Sequence, residues 1–309
     1  MAITKIFYHT DFEKHIPTLN NPECSKRVAN IINLIKKKDF SNISFVEPTK
    51  IKKELIYGAH NEIFVNETID KFPENEEIIF LDQETPVSSG SKNATLRAAG
   101  AGKDAIDSIL NGSCKNAFCI VRPPGHHACI DRSMGFCVFN NVAIAAHYLI
   151  NEYNFSNIAI IDFDVHHGNG TQDIFYNNKN VNYYSTHQFP LYPGTGDLDE
   201  IGVGNIFNVP LSSGTGSDAY QVLFQEKIIN QLNIQKPDFL IISAGFDAHT
   251  ADPLANINLK EEDFSFITNK LKKIANDHCD GRILSMLEGG YDINALEQSI
   301  LNHIKVLQD

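Results

Sequence analysis

The sequence lacks a long apolar segment, a Cys-x-x-Cys pair and an excess of basic residues, and each absence excludes a class of protein. No run reaches the roughly 18 apolar residues of a membrane-spanning helix, so we expect no membrane association. The start of the chain has no export-signal pattern, which predicts a cytoplasmic protein whose six cysteines are reduced. The net charge of −12 argues against direct nucleic-acid binding, because phosphate contacts need clustered Lys and Arg. No pattern indicates the oligomeric state.

What the sequence does contain is a regular alternation of short apolar runs and longer helical patterns. This alternation predicts an α/β fold of three layers, in which helices cover both faces of a mostly parallel sheet. Strands are predicted at 3–8, 78–80, 117–121, 158–163, 181–185, 239–243 and 283–287. Helices are predicted at 22–37, 92–110, 141–151, 218–232, 259–277 and 293–306. Because there is no internal repeat and no long linker, we expect a single domain over residues 1–309.

The most informative segment is Asp-Phe-Asp-Val-His-His-Gly-Asn-Gly at residues 162–170. It follows the apolar run 157–161, which we interpret as a buried strand. If strand geometry persists, Asp162, Asp164 and His166 project to the same side. They then lie beyond the carboxyl end of a strand, where open α/β sheets bind their ligands. The alternative interpretation is an acidic turn that contains histidines by chance.

Three other predicted strands also end in polar motifs. Residues 122–128 (RPPGHHA) carry the adjacent His126 and His127 on a loop whose path is restricted by two prolines and a glycine. Asp247 follows a later strand, where it is either a ligand or the N-cap of a helix. Tyr291 lies in a Glu-Gly-Gly-Tyr motif after the last strand, and a lone tyrosine at such a place is usually a packing residue.

Together the four motifs predict one site, since the carboxyl ends of parallel strands lie on the same edge of a sheet. Asp164, His166 and Asp247 would offer one nitrogen and two oxygen donors. Three protein ligands and one open position are the arrangement of a catalytic zinc site. A structural zinc site is disfavoured because no set of four thiolates is present.

With these motifs identified, the chain resembles the zinc-dependent histone deacetylase family, in its class II-like bacterial branch. This family has the arginase/deacetylase fold and is grouped with the acetylpolyamine amidohydrolases. The matching segments are RPPGHHA (122–128), GFCVFNNVAIAA (135–146), DFDVHHGNGTQ (162–172), YPGTGD (192–197), SAGFDAH (243–249), DPLA (252–255) and LEGGYD (287–292). They occur in family order, and the resemblance runs from near residue 20 to the C-terminus. It implies a zinc-dependent amidohydrolase that uses metal-activated water to remove acetyl or other acyl groups from the Nε atom of lysine.

The resemblance also implies roles for individual residues. The implied ligands of a single Zn²⁺ are Asp164, His166 and Asp247. The implied catalytic residues are His126, His127 and Tyr291. Asp162 would support His126, and Asn169 would support His127 at a position where class I members carry Asp. His127 is our choice for the general base, and Tyr291 would hydrogen-bond the substrate carbonyl.

A substrate channel and a structural potassium ion are implied as well. The implied channel residues are Glu84, Gly135, Phe136, Tyr192 and Leu254. The implied ligands of a potassium ion beside the zinc are Asp162, Asp164, His166 and Ser185. A second potassium site would use backbone groups near Phe175.

Three alternatives stay open. The first is a deacetylase of acetylpolyamines or other small amides, and Leu254 argues against it because polyamine-preferring eukaryotic relatives carry Glu after the same Asp-Pro. The second is an arginase-like dimanganese site, which would need Asp where this chain has Gly168. The third is a binding protein on an inactive deacetylase scaffold, which the full set of expected catalytic residues disfavours. The expected substrate is an acylated lysine peptide or protein or, in the first alternative, a small acetylated amine.

Overall fold

The computed structural model of the protein describes residues 4–38 and 40–309. The strands are β1 (Thr4–Phe7), β2 (Ile43–Val46), β3 (Ile79–Phe80), β4 (Pro86–Val87), β5 (Asn116–Cys119), β6 (Ile158–Asp162), β7 (Val181–Gln188), β8 (Ile206–Leu211), β9 (Phe239–Ala244) and β10 (Ile283–Leu287). The α-helices are α1 (Lys26–Lys37), α2 (Lys53–Ile56), α3 (Glu62–Lys71), α4 (Ser91–Leu110), α5 (Asn141–Tyr153), α6 (Asn169–Phe175), α7 (Ser217–Leu223), α8 (Asn230–Gln235), α9 (Glu261–His278) and α10 (Ile293–Gln308). A 3-10 helix spans Thr10–Lys14, and a π-helical segment at Phe224–Ile229 joins α7 to α8.

The centre of the molecule is an eight-stranded parallel sheet in the order β2-β1-β5-β10-β9-β6-β7-β8. Strands β6, β9 and β10 are buried along their whole length, because they are apolar on both faces and helices cover both sides. Helices α1, α9 and α10 form one packed group, and α4 and α5 form another. The predicted three-layer α/β fold is confirmed. Only the β3–β4 pair is antiparallel among the described strands.

The elements that the sequence pattern missed lie mainly at the edges of the sheet. Strand β2 is short and only partly buried, so it has no continuous apolar run. Strand β8 contains Asn208 and Pro210, and proline is tolerated there because the strand lies at an edge. Helices α2, α3 and α6 were also missed, and β4 is a strand of 2 residues.

Two predicted helices differ in their bounds. The helix predicted from residue 22 begins at Lys26, because the chain first forms a turn in which the Cys24 amide donates to the Pro22 carbonyl at 2.9 Å. The helix predicted over 218–232 is not continuous, since the π-helical segment interrupts it. Of the strand predicted at 3–8, residue 3 lies outside the described residues.

The order of the strands decides where the polar motifs meet. Strands β5, β10, β9 and β6 are consecutive neighbours, and each is followed by one of the four motifs. Asp162 at the end of β6 is in register with Ser243 of β9, and Ser243 is in register with Met286 of β10. The four motifs therefore leave the sheet side by side on one edge.

Two further observations concern the whole of the described chain. Its helices include none with the length and apolarity needed to cross a membrane. Its six cysteines are all free thiols. The domain bounds 1–309 stay a prediction.

Candidate active site

Three of the four polar motifs line one cavity of about 240 Å³ at the edge of the sheet, and Asp247 of the fourth motif contacts His166 behind it. Its lining residues are Pro22, Glu84, Pro124, His126, His127, Gly135, Phe136, His166, Leu191, Tyr192, Leu254, Gly289 and Tyr291. The paired histidines, the tyrosine and all five predicted channel residues are among them. Residues far apart in the sequence thus meet where the sequence pattern predicts a site.

Asp164, His166 and Asp247 form the buried triad next to this cavity. Each offers one ligand atom, and these atoms lie within 4.8 Å of one another. His166 Nδ1 is 3.2 Å from Asp164 Oδ1 and 3.1 Å from Asp247 Oδ2. The remaining carboxylate oxygens are held by the backbone: the Val165 amide donates to Asp247 Oδ1 at 2.9 Å, and the Gly289 amide donates to Asp164 Oδ2 at 2.8 Å. Hydrogen bonds from the backbone therefore fix the two carboxylates of the triad in place.

Two glycines let the backbone approach the triad closely. A Cβ atom at Gly245 would lie 2.1 Å from Asp164 Oδ2, and one at Gly289 would lie 2.1 Å from Asp247 Oδ2. No side chain fits at either position without displacing a carboxylate. This explains the glycines in the two motifs that follow β9 and β10.

The single imidazole of the triad does not balance the charges of its two carboxylates. Burial and the neighbouring Asp164 raise the pKa of Asp247 to about 7. Burial alone would lower the pKa of His166, but hydrogen bonds to the two carboxylates raise it to about 10. Burial likewise opposes ionisation of Asp164, yet the positive field of His126 and the hydrogen bonds of His166 hold its pKa well below the ordinary value. Two buried carboxylates that share one imidazole make a donor set that fits a divalent cation, since such a charge removes the penalty of burying both.

The adjacent histidines have opposite environments. His126 Nδ1 is 3.0 Å from Asp162 Oδ2, whereas His127 Nδ1 is 2.8 Å from Asn169 Oδ1. Burial disfavours the charged form of His126, but the carboxylates of Asp162 and Asp164 outweigh it and raise its pKa well above the ordinary value. Burial and the positive neighbours His126 and His166 lower the pKa of His127 well below the ordinary value. One imidazole is thus held cationic and the other neutral, with ring centroids 4.0 Å apart.

Tyr291 is held by contacts that leave its hydroxyl free of hydrogen bonds among the described residues. Its ring lies 6.0 Å from that of Phe136 in an edge arrangement, and the Arg27 guanidinium lies 5.1 Å from its centroid. Its backbone amide donates to Asp252 Oδ2 at 2.7 Å. Burial and the nearby Asp247 keep its pKa well above the ordinary value, although Arg27 opposes them. The hydroxyl is therefore a proton donor at any physiological pH.

The walls of the cavity come from two aromatic rings and a strained loop. Gly135 and Phe136 both have positive φ, 57° and 67°. A Cβ atom at Gly135 would lie 2.5 Å from His127 Cδ2, so only glycine fits there. The Tyr192 ring stands perpendicular to that of His127 at 5.1 Å. Glu84 follows β3, and Leu254, 37% exposed, follows β9.

The residues implied as potassium ligands fall into two groups. Asp162 and Ser185 are register partners on β6 and β7, beside the triad. The Phe175 carbonyl lies elsewhere, and it already accepts a hydrogen bond from Asn205 Nδ2 at 2.9 Å. The same nitrogen donates to the carbonyls of Asn178 at 3.1 Å and Val181 at 2.8 Å. The amide nitrogen has two protons for these three carbonyls, and each carbonyl keeps a second lone pair.

Sequence reasoning missed the groups that hold the histidine loop. Glu288 is buried at the end of β10, and its Oε2 accepts from the amides of Gly125 at 2.6 Å and His126 at 3.2 Å. The Ser243 hydroxyl donates to its other oxygen at 3.1 Å. The only available signal was an acidic residue directly at a strand end, before paired glycines. Its partners could not be identified without the strand order.

A buried ion pair fastens the N-terminal loop beneath the same site. Arg122 Nη2 donates to Glu23 Oε2 at 2.6 Å, and both side chains are fully buried. Arg27 also contacts Glu23, with 3.1 Å between Nη1 and Oε1, and donates to the Gly290 carbonyl at 2.7 Å. Arg122 is the first residue of the RPPGHHA motif, so this network connects the start of the chain to the histidine loop.

Known proteins of similar sequence and structure cover nearly all of this chain. The family model for the histone deacetylase domain matches residues 21–307. A probable deacetylase of Archaeoglobus fulgidus is 38% identical over 302 residues, which is 94% of this chain and 82% of that protein. Histone deacetylase 14, chloroplastic, of Arabidopsis thaliana is 36% identical over 309 residues, which is 93% of this chain and 73% of that protein. The crystal structure of the HDA15 HD domain matches with a TM-score of 0.92 at 33% identity, over 99% of this chain and 88% of that one.

Proposed function

The chain belongs to the histone deacetylase family and is a hydrolase that acts on amides. We propose that it removes acetyl or other acyl groups from lysine Nε atoms in a zinc-dependent reaction. The observation that carries the proposal is the convergence of the Asp164–His166–Asp247 triad, the paired histidines and Tyr291 around one cavity. The described residues contain no other cluster of three side chains that could hold a metal ion.

Asp164, His166 and Asp247 are the proposed zinc ligands. Their donor set, two carboxylates and one imidazole with no thiolate, is that of a catalytic site that leaves a position open. Zinc bound there would supply a Lewis acid that lowers the pKa of water from about 15.7 towards about 7 and polarises the amide carbonyl. Burial and Asp164 raise the pKa of Asp247 to about 7, and a bound cation would favour its ionised form.

His127 is the proposed general base. Its pKa is held well below the ordinary value, so it is neutral and able to accept a proton from water. His126 has the opposite role, because Asp162 and Asp164 keep it cationic and it can stabilise negative charge. Paired groups whose environments push their pKa values apart are typical of acid–base sites.

Tyr291 is the proposed donor to the oxyanion that forms on the substrate carbonyl. Its hydroxyl is protonated because its pKa lies well above the ordinary value, and it has no competing acceptor among the described residues. A donor that is already in position before the reaction loses no energy to reorganisation as charge develops.

The cavity walls favour a long aliphatic amine with an acyl group at its end. Phe136 and Tyr192 provide aromatic walls. The Gly135 carbonyl accepts from the Cys137 thiol at 3.3 Å and would use its second lone pair for a substrate amide. Glu84 at the rim would bind the backbone of an acyl-lysine peptide. Leu254 presents no charge to a second ammonium group, which supports lysine over a polyamine. A small acetylated amine remains the second candidate because Glu84 could also attract an ammonium group.

We propose that a structural potassium ion binds beside the zinc, at Asp162, Asp164, His166 and Ser185. Asp162 is fully buried, and burial raises its pKa although His126 opposes this, so a monovalent cation would compensate its charge. We propose a second site near Phe175, whose carbonyl also accepts from the Asn205 amide at 2.9 Å. Anomalous diffraction from crystals grown in rubidium chloride locates ions at either position.

The proposal is tested by turnover with defined substrates and metals. Purified protein is given acetyl-lysine peptides, longer acyl-lysine peptides and acetylpolyamines, before and after treatment with a chelator. We expect hydrolysis of acyl-lysine peptides that is lost with the chelator and restored by Zn²⁺. Faster turnover of acetylpolyamines would favour the second candidate, and no turnover of any amide by the zinc-loaded protein would refute an enzymatic role.

A further inference from the structure

The side chain of Asn169 contacts the proposed base on one side and two sulfur atoms on the other. Its Oδ1 is 2.8 Å from His127 Nδ1. Its Nδ2 is 3.3 Å from Cys129 Sγ and 3.3 Å from Met134 Sδ. Cys129 is fully buried and Met134 is partly buried, so these sulfur contacts belong to the protein interior beside the cavity.

The orientation of this amide decides which nitrogen of His127 carries the proton. An asparagine amide has an acceptor end and a donor end, and neutral imidazole has two tautomers. If Oδ1 faces His127, Nδ1 carries the proton and Nε2 keeps a lone pair. If the amide is reversed, Nδ1 becomes an acceptor and Nε2 carries the proton, so it cannot take one from water. An aspartate in place of Asn169 would have no such ambiguity, because both of its oxygens accept.

The two sulfur atoms remove the ambiguity. The Met134 thioether has no proton, so it can only accept a hydrogen bond. The Cys129 thiol donates to the His127 carbonyl at 3.6 Å, which leaves its sulfur lone pairs to accept from Asn169. The amide nitrogen satisfies both sulfurs, whereas the amide oxygen would meet two acceptors. We propose that Met134 and Cys129 are positioning residues that fix the amide of Asn169 and, through it, the tautomer of His127 that acts as base.

This inference rests on the proposed function, because it assumes that His127 accepts a proton during amide hydrolysis. It adds that a specific pair of sulfur atoms, neither of which lines the cavity, controls the competence of the base. Sulfur is a weak acceptor, so we expect a moderate effect rather than loss of activity. The size of the effect is bounded, because without a bias between the two orientations of the amide about half of the molecules still carry the competent tautomer, so kcat falls by about twofold.

The decisive experiment compares sulfur removal in two backgrounds. A double variant, Met134→Leu with Cys129→Ala, is made both in the wild-type protein and in the Asn169→Asp variant. The kcat and KM of each zinc-loaded protein are measured with an acyl-lysine peptide. We expect kcat to fall about twofold with little change in KM in the Asn169 background. In the Asn169→Asp background we expect no fall, because a carboxylate cannot be oriented wrongly. Met286→Leu, the same change at a buried position on β10, is the matched control and should leave kcat unchanged.

A spectroscopic measurement tests the tautomer directly and does not require turnover. The side-chain ¹⁵N shifts of His127, assigned by comparison with His127→Ala, should show a protonated Nδ1 and an unprotonated Nε2 in the wild type. The sulfur-free variant should show a gain of the other tautomer. A protonated Nε2 in the wild type, an unchanged tautomer in the variant, or an equal loss of kcat in both backgrounds would overturn the inference.

The two measurements also separate this inference from the proposed function. If the protein hydrolyses no amide but His127 has the expected tautomer, the proposed function fails and the positioning role stands. If the combined variant does not fold, Met134→Leu alone and the wild-type spectrum still decide the matter.

Discussion

Replacing Tyr291 with Phe removes one hydroxyl group from the cavity and leaves the ring in place. The ring packs against Phe136, and the Arg27 guanidinium lies 5.1 Å from its centroid. The backbone amide keeps its hydrogen bond to Asp252. Because the hydroxyl holds no other described residue, we expect the variant to fold and to bind zinc as the wild type does.

The expected loss of activity follows from the role of a single oxyanion donor. Loss of one such donor lowers kcat by about 10²–10³ in well-studied hydrolases, which is about 3–4 kcal/mol of transition-state stabilisation. The fall in kcat is expected at the upper end of this range where water is excluded from the site. Most neighbours of Tyr291 are buried, which favours the larger fall. KM should change little, since the bond strengthens only as negative charge develops on the carbonyl oxygen.

The assay measures kcat and KM with an acetyl-lysine peptide, together with zinc content and the midpoint of thermal unfolding. Tyr184→Phe is the matched control, because its buried hydroxyl on β7 has no hydrogen-bond partner in the described part of the chain and the change is chemically identical. We expect Tyr291→Phe to retain zinc and stability but to lose most turnover, and Tyr184→Phe to retain all three. Near-wild-type turnover of Tyr291→Phe would refute the role of its hydroxyl, and loss of zinc would show that the variant reports on the metal site instead.

Three further predictions concern the metal, the base and the buried ion pair. Asp247→Ala should lose zinc, and elemental analysis that finds full occupancy would exclude Asp247 as a ligand. Asn169→Asp places a negative charge beside His127 and should raise the pKa of that base, so the acidic limb of the pH–rate profile moves to higher pH; an unchanged profile would mean that Asn169 and His127 are not coupled. Burial opposes ionisation of Glu23, but Arg122 outweighs it and lowers its pKa from 4.5 to about 2. The pair therefore stabilises the fold above pH 4.5 and loses this contribution as the pH falls towards about 2. Glu23→Gln should lower the free energy of unfolding by about 3 kcal/mol at pH 7, with a smaller difference at pH 3, as measured by urea denaturation; an equal difference at both values would contradict the charge-based origin.

Much of the site was predictable because it is built from local segments that follow buried strands. The runs before Asp162, Asp247 and Tyr291 are mostly apolar, so strands β6, β9 and β10 were predicted close to their observed bounds. A parallel sheet brings the ends of such strands to one edge whatever the details of packing. The family and the fold that these motifs predicted are confirmed, and the individual residue roles stay predictions.

Other features depend on contacts between distant segments, and no local pattern contains them. Glu288 reads in the sequence as an acidic residue at a strand end, and only the adjacency of β10 and β5 brings it to the amides of Gly125 and His126. The sulfur environment of Asn169 likewise arises because the loop after β5 folds back over the start of α6.

The sequence by itself determined the type of fold, the family and the segments that carry the candidate site residues. It could do so because burial of apolar strands and the direction of side chains along a strand are local properties. Only the tertiary structure decided the strand order and the hydrogen-bond partners of each ionisable group, which shift the pKa values of His126 and His127 in opposite directions. The physical reason is that a pKa and a tautomer depend on burial and on charges within a few ångströms, and in this protein those neighbours come from strands far apart in the chain.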